Sequence, residues 1–250
     1  MILVIDLGNT TMAVATLKKK NISKMYRIST SLSKKHFSHS LDKVFKRIKK
    51  QNPHIVQSIL CSVVPRLNKI VAEHVHKVFD VKTAVVGRDI TVPIRNKYRI
   101  PSQVGQDRLV GAYAVKKHYG FPAIIIDFGT ATTFDVIDQK GAYCGGMIVP
   151  GIQLSADALF KKTALLPRID MIQAPRQLIG CDTKQSILSG IFYGYGAMSA
   201  GLIDMISRKI GGKPKVIVTG GYTHLMKKFI AKKITKIDND LVFKGLQLLV

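Results

Sequence analysis

Two segments close an apolar run with polar groups: Ile2-Leu3-Val4-Ile5-Asp6-Leu7-Gly8-Asn9-Thr10-Thr11 and, with its aspartate 121 residues further on, Ile124-Ile125-Ile126-Asp127-Phe128-Gly129-Thr130-Ala131-Thr132-Thr133. In each, the glycine lets a turn approach a phosphate, and turn N–H groups with Asn or Thr side chains donate to its oxygens. The aspartate can hold the metal that accompanies a nucleotide. Alone, Asp-x-Gly is also an ordinary hairpin turn in which Asp and Asn cap their own backbone. Two such tips, each following an apolar strand, can face one another as a polyphosphate clamp that lacks the lysine of a Walker loop. A third segment, Val216-Ile217-Val218-Thr219-Gly220-Gly221, is a strand running into a Gly-Gly turn. A flat adenosine can lie on such bare backbone, although by itself the turn is only a tight connection.

Between the two hairpins, Gly105-Gln106-Asp107-Arg108 places a carboxylate beside a guanidinium at the start of an expected helix. Phosphoryl transfer to an alcohol needs an aligned hydroxyl, a proton acceptor and cations that spread the charge. Asp107 is the candidate acceptor, and the fork of Arg108 suits an oxyanion. The same pair also reads as a helix N-terminal acid with an intrahelical neighbour. His118 and His224 fall on expected helices with no acid or nucleophile near them in sequence.

These groups need elements to position them. Apolar periodicity predicts strands near 2–7, 12–17, 23–29, 56–62 and 82–86 with helices near 38–50 and 66–79. It then predicts strands near 123–127, 132–138, 142–148 and 215–219 with helices near 151–161, 183–209, 221–231 and 240–248. The pattern is α/β, with two halves built on one plan: residues 1–120 with the first hairpin and the Gly-x-Asp-Arg segment, and 121–250 with the second hairpin and the Gly-Gly turn. A helix over 105–118 bridges them, ahead of the turn signal Gly120-Phe121-Pro122. The run Gly190 to Gly201 has small residues at helical spacing, which favours close helix packing.

Hairpin, hairpin and Gly-Gly turn, in that order, resemble the phosphate 1, phosphate 2 and adenosine motifs of the acetate kinase, sugar kinase, Hsp70 and actin superfamily. A narrower resemblance rests on Tyr98 to Leu109 with its Gly-x-Asp-Arg core, Asp127-x-Gly-Thr-Ala-Thr-Thr133, Gly145-Gly146-Met147-Ile148-Val149-Pro150-Gly151, Ala164 to Pro167 and Ile179 to Thr183. The series is similar to type III pantothenate kinase from Ile2 to the closing Asp240 to Leu246. That resemblance implies two ribonuclease H-like, actin-like subdomains around a nucleotide cleft, and ATP-dependent phosphorylation of pantothenate to 4′-phosphopantothenate at the start of coenzyme A biosynthesis. It assigns the base to Asp107 and substrate contacts to Tyr98, Gly105, Gln106, Asp107, Arg108 and Thr183. ATP falls to Asp6, Leu7, Gly8, Asn9, Thr10, Thr11, Met12, Ala13 and Thr130, and a monovalent cation, K+ or NH4+, to Asp127. It further implies ATP with Mg2+, a cytoplasmic enzyme and a homodimer whose interface includes the helix after 183 and completes the substrate site. One departure is Gln106, where the family commonly has alanine.

A formal charge of +24, from 39 Lys plus Arg against 15 Asp plus Glu, is the other unusual feature. A field of that sign attracts nucleic acid, anionic membrane and phosphorylated ligands alike. The lysines form short scattered clusters, among them Lys18 to Lys20, Lys46 to Lys50 and Lys232 with Lys233, and there is no tryptophan. No basic stretch interleaves with aromatics as a single-strand platform requires, so a solvated surface is the expectation and nucleic acid is not an expected partner. A non-catalytic regulatory or nucleic-acid-binding factor on the same fold is the alternative, and a kinase for another small alcohol a third reading. Cys61, Cys144 and Cys181 form no CxxC pair, which fits a reducing compartment. The start Met-Ile-Leu-Val-Ile-Asp reads as a strand rather than a signal peptide, and no uninterrupted apolar stretch reaches bilayer length.

Overall fold

The computed structural model describes residues 1–18 and 21–250; Lys19 and Lys20 of the first lysine cluster lie outside the described residues. The chain forms two compact units. One comprises Met1–Pro93, Ser102–Ala114 and Val242–Val250, and the other Ile94–Pro101 with Val115–Leu241.

In the first unit, β1 (Ile2–Leu7) pairs antiparallel with β2 (Thr11–Lys18), Asp6 lying opposite Ala13. On its other side β1 runs parallel to β5 (Gln57–Ser62), with Asp6 beside Cys61, and β6 (Thr83–Val85) continues parallel to β5. The short β3 (Asn21–Ile22) and β4 (Tyr26–Ser29) both pair with β2. Parallel neighbours require long crossovers, supplied here by α1 (Lys34–Gln51) and α2 (Pro65–Phe79). In α1 the residues Phe37, Leu41, Phe45 and Ile48 repeat at helical spacing and are buried, each contributing roughly 1.5–3 kcal/mol of burial. The Ser33 hydroxyl starts α1 by accepting the His36 N–H. The α2 stripe of Leu67, Val71, Val75 and Val78 joins the same core as Leu3, Ile5 and Leu7 of β1.

The expected single strand over 23–29 is interrupted. The Ser23 hydroxyl accepts the Thr16 N–H at 2.8 Å, so a side chain replaces the next backbone carbonyl in the ladder, and pairing resumes at Tyr26.

The second unit repeats the plan. β7 (Ala123–Phe128) pairs antiparallel with β8 (Ala131–Ile137), which pairs antiparallel with β9 (Tyr143–Pro150). On its other side β7 runs parallel to β10 (Lys215–Thr219), and β10 to β11 (Lys236–Ile237). The order β11-β10-β7-β8-β9 matches β6-β5-β1-β2-β4 of the first unit strand for strand and sense for sense. The repeat seen in two short motifs therefore extends to a whole sheet. One face of this sheet packs with α4 (Ile152–Lys162) and α5 (Thr183–Ile210) in a core that includes Ile124, Ile126, Phe128, Phe134, Leu188 and Phe192.

The helix expected over 221–231 is instead a four-residue α6 (Thr223–Met226) followed by two 3-10 turns, Lys227–Phe229 and Ala231–Lys233. A continuous helix would stack Lys228 on Lys232 as a like-charge i,i+4 pair. In the broken form Lys233 reaches Asp204 of α5 at 2.5 Å. α5 is long and apolar enough by composition to cross a membrane. Its Leu188, Phe192, Ile203 and Ile206 nevertheless pack into this unit, and it carries Lys184, Asp204, Arg208 and Lys209, the pattern of a core helix. α3 (Gln106–His118) begins in the first unit, where α7 (Leu241–Gln247) lies against it. A Cβ at Gly245 would stand 2.4 Å from the Val110 carbonyl oxygen, so glycine permits that approach.

Candidate active site

The first hairpin ends in a turn closed by the Gly8 N–H donating to the Thr11 carbonyl at 3.0 Å. The end of β4 braces it: the Thr30 hydroxyl donates to the Asn9 carbonyl at 2.6 Å and the Thr30 N–H to the Thr10 carbonyl at 3.0 Å. A Cβ on Gly8 would sit 3.2 Å from the Thr11 carbonyl, so the turn has no room for a side chain there. Asn9, Thr10 and Thr11 are exposed at the tip, and Asp6 is half-buried one step below. Leu7, Met12 and Ala13 point into the core, which leaves only their backbone to a ligand.

The second hairpin is built alike. The Gly129 N–H donates to the Ala131 carbonyl at 3.2 Å, and the Gly151 N–H, just past β9, braces the Thr130 carbonyl at 3.1 Å. The approach at Gly151 is closer still, since a Cβ there would meet the Thr130 and Gly129 carbonyl oxygens at 2.2 and 2.5 Å. Thr130 stands exposed at the tip and Asp127 half-buried below it. The Asp127 carboxylate is fitted between two glycines, Oδ1 lying 3.2 Å from where a Cβ on Gly129 would be and 2.3 Å from one on Gly220. The Gly220-Gly221 turn is tied to the end of β7 by the Tyr222 N–H donating to the Phe128 carbonyl at 3.0 Å. The first glycine of the adenosine-type motif therefore also seats the aspartate of the phosphate-type motif, a relation that sequence spacing does not reveal.

In the first unit, Gly105 to Arg108 form the entry to α3. The Arg108 N–H donates both to the Gly105 carbonyl at 3.1 Å and to Asp107 Oδ1 at 2.8 Å, so the carboxyl curls back over its own helix start. A Cβ at Gly105 would lie 2.6 Å from Oδ1, so the carboxyl occupies the space that glycine leaves. Loss of surrounding water pushes the Asp107 carboxyl above the ordinary aspartate range, against the opposing pull of the Arg108 N–H and guanidinium. Cys61, fully buried on β5, completes this cluster. Burial, then the charges of Asp6 and Asp107, hold its thiol well above the usual range and so neutral. Cys61 thus gathers Asp6 and Asp107, which lie about 100 residues apart in the chain, around one neutral group. Its strand register beside Asp6 emerges only from the fold.

Tyr98 and Thr183 belong to the second unit. The segment around Asn96 runs beside the start of β9, the Lys97 N–H donating to the Tyr143 carbonyl and the Tyr143 N–H to the Arg95 carbonyl, each at 2.8 Å. This lays the Tyr98 ring on Gly145, where a Cβ would stand 3.1 Å from two ring carbons and φ is +104°. Beneath, the Tyr143 hydroxyl donates to the buried Asp135 carboxylate at 2.7 Å. Thr183 is the exposed first residue of α5, after the N-cap Asp182 whose carboxylate accepts the Gln185 N–H at 2.7 Å. Among the described residues no three of His, Cys, Asp and Glu are grouped so that they could hold a metal ion. Asp6, in the first unit, offers a single hard oxygen donor group, which fits a Mg2+ that keeps its waters and substrate phosphates.

Solved structures share this architecture at sequence identities that speak to fold alone. One, titled a putative 2-dehydro-3-deoxygalactonokinase from Sinorhizobium meliloti, has a TM-score of 0.61 at 12% identity and covers all of this chain and 98% of that one. Another, titled a ROK family glucokinase from Streptomyces griseus, has a TM-score of 0.55 at 12% identity over 99% of each chain. The fold is thus of the actin-like ATPase and sugar kinase type. Sequence relatives are nearer. A protein of Halalkalibacterium halodurans named type III pantothenate kinase is 38% identical over 100% of this chain and 98% of its own. One of the same name from Persephonella marina is 39% identical over 91% of this chain and 90% of its own. The family model described as type III pantothenate kinase matches residues 2–205, a span that takes in both hairpins, the Gly105–Arg108 entry to α3 and the Tyr98 seat. With that match and these full-length relatives, the chain belongs to the type III pantothenate kinase family.

Proposed function

We propose that this chain transfers the terminal phosphoryl group of ATP to the primary hydroxyl of pantothenate, giving 4′-phosphopantothenate and ADP as the first committed step toward coenzyme A. The observation that carries the reading is the Gly105–Arg108 turn, in a chain of this family, where a half-buried carboxylate accepts the N–H of the arginine that follows it at a helix start. Asp107 accepts the proton of the attacking hydroxyl, and its raised pKa brings it nearer the working pH of a general base. Arg108 and the backbone from Gly105 hold the substrate, with Tyr98 and Thr183 as further contacts. The tip residues Gly8 to Thr11 and Thr130 donate to nucleotide phosphates, Asp6 faces the Mg2+ that arrives with them, and Asp127 takes K+ or NH4+. Bound divalent metal supplies charge neutralisation on the phosphates. The non-catalytic alternative is not favoured by full-length similarity to proteins named as kinases. A coupled assay is expected to show pantothenate-dependent ADP release with Mg2+ and K+ or NH4+ present. Release that is absent, or that appears only with another alcohol, overturns the assignment.

The enzyme acts as a cytoplasmic homodimer in this reading. Gly190, Gly194, Ala197, Gly201 and Met205 form one exposed stripe along α5, and a Cβ at any of the three glycines would meet nothing of this chain within 4 Å. A stripe of small residues ending in a 57% exposed methionine allows two helices to approach closely about a twofold axis. Light scattering on the eluted protein is expected to give twice the 27.6 kDa chain mass. Gly194→Arg, which puts a charge in the middle of the stripe, is expected to give monomer, and a wild type that elutes as monomer overturns this part.

A further inference from the structure

Gln106 opens α3 beside the candidate base, and its side chain has a definite place. It lies on the bare face of Gly87, where a Cβ would stand 2.6 Å from Gln106 Cδ, 2.8 Å from Nε2 and 2.9 Å from Cγ. Gly87 belongs to the turn that follows β6 and has φ +87°, a conformation that favours glycine. That turn is firmly made. The Gly87 N–H donates to the Ile90 carbonyl at 2.8 Å, and Asp89 Oδ2 accepts the Val85 N–H at 2.8 Å. The Arg88 guanidinium holds both Asp89 oxygens, at 3.0 and 2.7 Å. That pairing, with the Val85 N–H, keeps the Asp89 carboxyl at about 2. The turn is also fastened to the strand bearing Cys61, through the Val86 N–H donating to the Leu60 carbonyl at 2.9 Å.

We propose that Gln106 is a positioning residue: packed on Gly87, its side chain keys the first turn of α3 to the Val85–Ile90 turn and so sets where the Asp107 carboxyl stands. Gln106 and Asp107 are consecutive at the helix start, where the backbone transmits a displacement of one directly to the other. Gln106 acts through Asp107, and its side chain is turned to the protein rather than offered to pantothenate. The inference rests on the reading of Asp107 as the base. It goes beyond that reading in naming a second turn, remote in sequence, as part of the apparatus that aims the base.

The test is a double-mutant cycle in the full-length enzyme. Gly87→Ala is expected to lower kcat on the order of 10²-fold, because its methyl group drives Gln106 and the helix start away, with the KM for ATP held near wild type. In Gly87→Ala/Gln106→Ala the methyl group has room, and kcat is expected to recover to within about tenfold of wild type. Backbone strain at position 87 is common to both variants, so recovery reports the side-chain contact alone. A double variant no better than Gly87→Ala overturns the proposal, as does Gly87→Ala with wild-type kcat. If Gly87→Ala does not fold, Gln106→Ala decides. A kcat reduced about tenfold, with the KM for ATP unchanged and the acid limb of the pH profile moved, supports keying; an unchanged kcat and limb overturn it. A wild type with no pantothenate-dependent activity would instead be a failure of the kinase reading.

Discussion

Asp107→Asn is expected to lower kcat for pantothenate phosphorylation by about 10²–10⁴-fold, the range that a positioned general base supplies. Asparagine keeps the shape and can still accept the Arg108 N–H bond that Asp107 accepts at 2.8 Å, so the helix start stays in place while the proton acceptor is lost. The KM for ATP should change little, because the phosphate-binding tips are separate from this residue in the chain. In the wild type the carboxylate is the working form, and burial raises its pKa above the ordinary 3.8. kcat/KM should therefore fall as pH falls through an apparent pKa above that value, and the residual activity of Asp107→Asn should lack this limb. The stability change has the opposite sign. A carboxyl whose folded pKa is raised favours the fold when protonated, and this contribution is lost as pH rises through the folded pKa. At neutral pH the ionised group is thus a cost that asparagine removes, and Asp107→Asn should melt at or above the wild-type temperature. A variant with wild-type kcat, or one that loses activity only because it unfolds, would take the base role away from Asp107.

Gly220→Ala should be the most damaging single methyl group in the second unit. The added carbon would lie 2.3 Å from Asp127 Oδ1 and 2.6 Å from backbone atoms of Phe128, at a residue with φ +100°. Strain at positive φ costs roughly 1–2 kcal/mol, and the end of β7 must also shift. A total of about 2–4 kcal/mol corresponds to a drop in Tm of about 5–15 °C for a chain of this size. Because the displaced group is Asp127, the proposed ligand of K+ or NH4+, the same variant should need more of that cation for half-maximal activity. Gly221→Ala is the control: nothing of the chain lies within 4 Å of its Cβ, and its φ is not positive, so Tm should move by only about 1–2 °C. Equal melting of the two variants would show that Gly220 does not seat Asp127.

The aspartates of both hairpins stood out in the sequence because each follows an apolar strand whose composition alone dictates burial. Strand and helix positions were legible wherever one periodicity held without interruption, as over β1, β7, α2 and α5. They were not legible where a side chain took over a backbone bond, as Ser23 does between β3 and β4, or where like charges would have stacked on a helix, as between Lys228 and Lys232. The Gly105–Arg108 segment was legible as chemistry because glycine, carboxylate and guanidinium fall within four residues, which requires no fold to bring them together.

What the sequence by itself determined is therefore the set of candidate residues for phosphate and proton, and the duplicated plan on which they are hung. Tertiary structure alone decided their supports. Cys61 meets Asp6 through strand register, Gly220 meets Asp127 because β10 runs parallel beside β7, Tyr98 meets Gly145 because the segment around Asn96 runs beside β9, and Gln106 meets Gly87 across a turn. The physical reason is common to all four. Chemistry announces itself by residue type, whereas support depends on the empty space beside a backbone, and a glycine's missing side chain acquires meaning only when the fold places another group there.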